Sequence, residues 1–87
     1  MSITNQQLPP EIEPDLETIA EAVHVSWMRQ RRSEGWTYAP EYSREQKTTP
    51  NMVDYGELPE SEKETDRVTV RQVVATLIRL GYQIGRS

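Results

Sequence analysis

Apolar residues recur at the spacing of an amphipathic helix in two stretches of the chain, and this constrains the fold more than any other feature. In the first stretch they share one helical face, at positions Leu16, Ile19, Ala20, Val23, Trp27 and Met28. Pro14 suits a first helical turn, and Gly35 is suited to the left-handed conformation that ends a helix. The pattern predicts a helix over about residues 15–33.

The second stretch is more apolar, with six aliphatic positions, Val70, Val73, Val74, Leu77, Ile78 and Leu80. Thr69 and Gln72 have the spacing of a capping box, in which each side chain binds the other residue's backbone amide. Gly81 is placed to end the helix. These features predict a second principal helix over about residues 68–80.

Proline and glycine divide the remaining chain. Residues 39–57 show no sustained period and predict a long central loop with one turn near residues 51–54. Pro59, followed by acidic residues, predicts a separate short helix near residues 60–65. Two short extended stretches, residues 36–38 and 82–84, are candidates for a small strand pairing. The fold class is therefore mainly α with short β strands.

Length and composition limit the domain organisation and the chemistry. A chain of 87 residues holds one small core. We expect a flexible N-terminal tail over residues 1–13 and one domain over residues 14–87. Because the chain has no cysteine and one histidine, we expect no disulfide, metal or cofactor. The absence of a long apolar run or a signal-peptide pattern leads us to expect a cytoplasmic protein without membrane contact.

Charge argues against nucleic acid as a partner, because the net charge is -4 and phosphate binding needs a basic surface. The charges are nevertheless segregated. Arg29, Arg31 and Arg32 end the first predicted helix, where cations favour the helix dipole. Acidic residues crowd a later segment, at positions Glu57, Glu60, Glu62, Glu64 and Asp66. Both groups are also what ordinary solvated helix faces contain.

Aromatic and cationic residues after the first helix are the main candidates for a site. Trp36 and Tyr38 follow Gly35 on irregular backbone, and such rings can stack on a planar ligand. The complete set of candidate ligand-binding residues is Trp36, Tyr38, Arg44, Lys47, Tyr55 and His24. Three of them have plainer explanations. Tyr55 can pack the loop onto the helices, His24 can be a hydrogen-bonded core residue, and Trp36 can simply close the end of the first helix against Tyr82.

A series of short motifs along the chain, taken in order, resembles the pattern of the ryanodine receptor repeat, or RyR domain. The motifs that carry the resemblance are His24, Trp27, Gly35-Trp36-Thr37-Tyr38, Thr49-Pro50, Val53, Tyr55, Leu58-Pro59-Glu60, Glu62-Lys63, Asp66 and Leu80-Gly81-Tyr82. They cover about residues 16–84. The sequence departs from the family pattern at Ala39, where glycine is common, and at Thr49, where histidine is common.

The resemblance implies a compact repeat fold and a noncatalytic recognition module. Calcium channels carry these repeats in tandem, pseudo-twofold pairs, and bacteria and phages carry single copies, which this chain resembles. A cleft between paired repeats is implied to bind adenine nucleotides or NAD-derived compounds. Carried over, this would place Trp36 and Tyr38 under a base and Lys47 or Arg44 near phosphate. One base and one charge bind weakly, so we expect a homodimer that sandwiches the ligand.

Two other functional classes remain open. A protein interaction or scaffolding domain would use Val25, on the outer face of the first helix, together with the acidic segment. An enzyme is less consistent with the sequence, because His24 is the only histidine available as a general base and no serine lies in a nucleophile motif. We therefore predict a nonenzymatic function.

Overall fold

The computed structural model describes residues 8–85 and shows a mainly helical domain with a small strand pair, as the sequence predicts. Two long helices, α1 and α2, pack against each other, and the strands β1 and β2 lie between them in the chain. In chain order the elements are a 3-10 turn at Glu13–Asp15, α1 at Leu16–Ser33, β1 at Thr37–Tyr38, β2 at Thr48–Thr49, a 3-10 turn at Tyr55–Glu57 and α2 at Glu60–Arg79.

Helix α1 forms where the periodicity predicts it, and its C-terminus is set by Gly35. This glycine has a positive φ of 94°, a conformation that side chains disfavour. Its N–H donates to the Arg32 carbonyl, and the Trp36 N–H donates to the Arg31 carbonyl, each at 3.0 Å. These two hydrogen bonds form a Schellman motif, so the predicted role of Gly35 is confirmed.

Helix α2 is continuous, so the prediction of a separate short helix near residues 60–65 is wrong. The predicted capping box is also wrong. The Thr69 hydroxyl donates to the Thr65 carbonyl at 3.1 Å, and the Gln72 amide donates to the Thr76 hydroxyl at 3.0 Å. A threonine inside a helix can satisfy its hydroxyl in this way without ending the helix. No proline or glycine lies within α2 to break it.

The hydrophobic core lies between the two helices and extends beyond the predicted domain start. Its buried members are Leu8, Leu16, Ala20, Tyr55, Leu58, Val70 and Val74. Ile12 also packs against this cluster. The core therefore includes residues from the stretch 1–13 that was expected to be a flexible tail, since Leu8 and Ile12 both precede Pro14. Residues 1–7 of that expected tail lie outside the described part of the chain.

The strand pair forms between different segments from those predicted. Strand β1 pairs in parallel with β2, with Thr37 opposite Thr48 and Tyr38 opposite Thr49. The predicted pairing of residues 36–38 with residues 82–84 is therefore wrong. The connection folds back instead through Lys47, which has a left-handed φ of 57°. The turn of helix expected near residues 51–54 does not form there: the chain makes a simple turn at Pro50 and Asn51, and the short 3-10 helix lies at Tyr55–Glu57.

A charged network joins the outer edges of the two helices. The Arg67 guanidinium on α2 donates to Glu17 on α1 and also binds Glu60 and Glu64 on its own helix. Hydrogen bonds from Arg67, and then from Tyr55, lower the pKa of the Glu17 carboxyl. Part of the acidic segment is therefore paired rather than simply solvated.

Candidate functional site

The structure places five of the six predicted ligand-binding residues at two separate places and the sixth, Arg44, at neither. His24 and Tyr55 lie at the packing of α1 against the central loop, with ring centroids 6.3 Å apart. Trp36 and Tyr38 line a shallow depression beyond the end of α1, and Lys47 lies beside Gly35 there. Arg44 is exposed and lines neither that depression nor the pocket beside His24. The expected single aromatic site is thus not assembled within one chain.

His24 fixes the central loop to α1. Its side chain is only 4% exposed, and its Nε2 lies 2.7 Å from the carbonyl oxygen of Val53. Because a carbonyl only accepts, Nε2 carries the proton and donates. The imidazole also stacks on the Trp27 ring, with centroids 5.6 Å apart and planes inclined by 20°. The structural explanation of His24 is therefore correct, and the same residue also lines a pocket.

That pocket lies between α1, the central loop and the first half of α2, and has a volume of about 220 Å³. Its walls combine aromatic, apolar and carboxylate side chains, contributed by His24, Trp27, Asn51, Leu58, Glu62, Thr65 and Asp66. The Asn51 amide donates to Glu62 at 3.3 Å and so joins the loop to α2. An aromatic wall with a few convergent polar groups is the usual composition of a small-molecule site.

The carboxylate of Asp66 also lines this pocket. It is half-buried and makes no hydrogen bond or ion pair with any residue between 8 and 85. Burial raises the pKa of the Asp66 carboxyl, His24 opposes that shift, and the negative charge of Glu62 adds to it. A carboxylate in this position favours a ligand that donates hydrogen bonds.

Tyr55 faces the core and not the pocket. Its hydroxyl donates to Glu17 at 2.8 Å, and burial, together with that carboxylate, raises the pKa of Tyr55 to about 12. The Lys63 ammonium lies 5.6 Å from the centre of the Tyr55 ring. With its ring packed and its hydroxyl bound, Tyr55 fits the packing explanation, and it lines neither concave surface.

Trp36 anchors a second aromatic surface at the end of α1. The Arg31 guanidinium lies 5.7 Å from the centre of the Trp36 ring, and the Tyr42 ring centroid is 5.8 Å away. Tyr38 is 54% exposed beside it. Lys47 donates from Nζ to the Glu34 carbonyl at 2.8 Å, so it caps the helix C-terminus. This surface is shallower and more open than the pocket beside Trp27.

Sequence reasoning missed several residues of the pocket. Trp27 was assigned to the apolar stripe of α1, although its spacing of three from His24 places both rings on one helical face. Glu62 and Asp66 have the helical spacing of four, but a predicted break near residue 66 concealed their common face. Asn51 comes from the loop, and nothing in its local sequence indicates that it reaches α2.

The packed helix pair, the small parallel strand pair and the pocket between helix and loop define a compact, mainly helical fold class. The chain matches the sequence profile of the RyR domain family over residues 1–86, and it belongs to that family. Neither helix in residues 8–85 combines the length and apolarity needed to cross a bilayer. In the same residues, no group of three His, Asp or Glu side chains is arranged to hold a metal ion.

Proposed function

We propose that this protein is a noncatalytic recognition module, and that the pocket beside Trp27 receives the ring of a nucleotide-like or NAD-derived molecule. The observation that carries the proposal is the stacked pair of His24 and Trp27, which forms one wall of a pocket with convergent polar groups. Membership in the RyR domain family supports it, since the resemblance implies ligand recognition. The ring of the ligand would therefore stack on Trp27 and not, as the sequence suggests, on Trp36.

The chemistry of the pocket supplies two kinds of contact to such a ligand. A base stacked on one aromatic side chain gains about 1–3 kcal/mol. Arg31 follows Trp27 by four residues, so it lies one turn further along the same face of α1, about 6 Å away along the helix axis. The Arg31 guanidinium pairs with Glu34 at 2.8 Å and lies over the Trp36 ring, so a phosphate attached to a ring on Trp27 would bind Arg31 only by displacing Glu34.

One stacked base and one charged contact give weak affinity, so we further propose that a second copy covers the site. Asp66, Val73 and Leu80 are spaced by seven residues and share a face of α2. Val73 and Leu80 are 53% and 68% exposed, which leaves an apolar stripe that begins beside the pocket. A homodimer formed on this stripe would close the pocket over the ligand.

Isothermal titration calorimetry with ADP-ribose, cyclic ADP-ribose, AMP and ATP tests the proposal. We expect at least one of them to bind the wild-type chain, Trp27→Ala to abolish that binding, and Trp36→Ala to preserve it. Trp27→Leu keeps apolar bulk and serves if the alanine variant unfolds. Loss of binding only in Trp36→Ala would return the site to the second aromatic surface. Absence of binding by all four compounds would overturn the proposal.

A scaffolding function is the second candidate, and the exposed apolar residues of α2 favour it. In that case association would not respond to any nucleotide. Light scattering after size-exclusion chromatography distinguishes the two, because a ligand-closed dimer gains mass when nucleotide is added. A Leu80→Glu variant that stays monomeric while the wild-type chain is a dimer with or without nucleotide would favour the scaffold.

A further inference from the structure

Asp66 places an acceptor without a partner where the proposed ring would lie. Glu62, on the same wall, already receives the Asn51 amide, and the Thr65 hydroxyl donates to the Ser61 carbonyl. Asp66 has no such partner within residues 8–85, although it is half-buried. A ligand that covers this carboxylate removes water from it, so a ligand that supplies a hydrogen-bond donor is favoured over one that does not.

The chemistry of a carboxylate restricts what that ligand can present. An ionised carboxylate accepts hydrogen bonds and donates none. A ring oxygen or an unprotonated ring nitrogen facing Asp66 would be repelled, whereas an amino group would donate a charge-assisted hydrogen bond. Glu62 lies one turn before Asp66 and adds negative charge to the same wall. The edge of the ring that meets α2 must therefore carry N–H groups.

We propose that Asp66 selects planar ligands that carry an exocyclic amino group on the edge facing α2, and that it rejects otherwise identical rings without this group. The selection rests on the proposed function, since it requires a ring on Trp27. It also assigns the two walls different roles. The helix α1 holds the faces of a ring through stacking, and α2 reads its edge.

Matched nucleotides test this selection. AMP is compared with purine riboside 5′-monophosphate, and GMP with inosine 5′-monophosphate, because the second member of each pair lacks only the exocyclic amino group. We expect the amino-bearing member of at least one pair to bind the wild-type chain about tenfold or more tightly, as for other hydrogen bonds to a charged group. Dissociation constants are measured by calorimetry on the full chain.

Three variants separate a hydrogen bond from a general effect of charge. Asp66→Ala removes the acceptor, and the difference within the pair should fall below about twofold. Asp66→Asn keeps a carbonyl oxygen that accepts from an amino group, so it should retain part of the preference. Glu45→Ala removes an exposed carboxylate outside the pocket and should retain all of it. Circular dichroism establishes that each variant is folded.

The possible results separate the selection from the function on which it rests. Equal binding within both pairs, with binding still lost in Trp27→Ala, would overturn the selection and leave the pocket in place. A preference that persists in Asp66→Ala would also overturn it. If none of these four monophosphates bound while ADP-ribose, cyclic ADP-ribose or ATP did, the selection would be wrong and the proposed function would stand. If no compound of either panel bound, both would be wrong.

Discussion

His24→Leu is the substitution that tests most directly how the pocket is held together. The leucine fills a similar volume but cannot donate to the carbonyl of Val53, which His24 reaches at 2.7 Å. That carbonyl is 29 residues away in sequence, so the bond fixes the central loop to α1. His24 is also stacked on Trp27, and its replacement would loosen the aromatic wall.

The expected cost follows from the group left behind. A buried carbonyl that loses its donor costs about 1–3 kcal/mol. In a domain of this size, each kcal/mol lowers the melting temperature by about 4–8 °C. His24→Leu should therefore lower it by about 4–24 °C. His24→Gln is the matched control, because the glutamine amide also ends in a donor nitrogen at a similar reach.

Thermal unfolding followed by circular dichroism, with urea titration to obtain the free energy of unfolding, measures both variants. We expect His24→Gln to recover at least half of the loss. Equal destabilisation by leucine and glutamine would show that packing and not the hydrogen bond holds the loop. A cost below about 0.5 kcal/mol for His24→Leu, typical of surface positions, would refute the assigned role of His24 altogether.

Three further predictions concern backbone strain and titration. Gly35→Ala should cost about 1–2 kcal/mol of unfolding free energy, since φ is 94° and an added Cβ meets Lys47 only at ordinary contact distance. Asp66→Asn should raise the melting temperature at pH 7, because burial raises the pKa of that carboxyl and its ionised form destabilises the fold; the gain should vanish below the ordinary pKa of 3.8. The ionised Glu17 carboxylate instead stabilises the fold, because the hydrogen bond from Arg67 lowers its pKa. Wild-type stability should therefore fall as the pH drops below 4.5, and Glu17→Gln should make that fall smaller. Melting curves across pH 2–8 test the last two together.

The local features of the fold could be predicted from sequence, and the contacts between distant segments could not. The apolar stripe and Gly35 determine the bounds of α1 because both act within a few residues. The same local patterns wrongly predict two helices in place of α2, since Thr69 and Gln72 have the spacing of a capping box. In the structure the Thr69 hydroxyl donates instead to the Thr65 carbonyl, and the helix continues.

The pocket residues could not be predicted from sequence for the same reason, because they come together through contacts between distant segments. The sequence predicts Trp36 as a ligand-binding residue because it follows the helix-ending Gly35 and so lies on irregular backbone. Trp27 has the helical spacing of a core residue, and it becomes a pocket wall only where Asn51 and Asp66 approach it. Such an approach depends on how the central loop crosses α1, and no local pattern encodes it.

The bond from His24 is made to the main chain of the loop and not to a side chain. The hydrogen bond from His24 therefore does not depend on which side chain residue 53 carries. The backbone N–H of Asn51 donates to the Thr49 hydroxyl, and this bond is likewise independent of the side chain at position 51. A substitution at position 51 therefore removes the side-chain hydrogen bond to Glu62 but leaves these two main-chain contacts of the loop unchanged. Under the proposed function, a change at position 51 would alter one wall of the pocket and leave the aromatic wall of His24 and Trp27 unchanged.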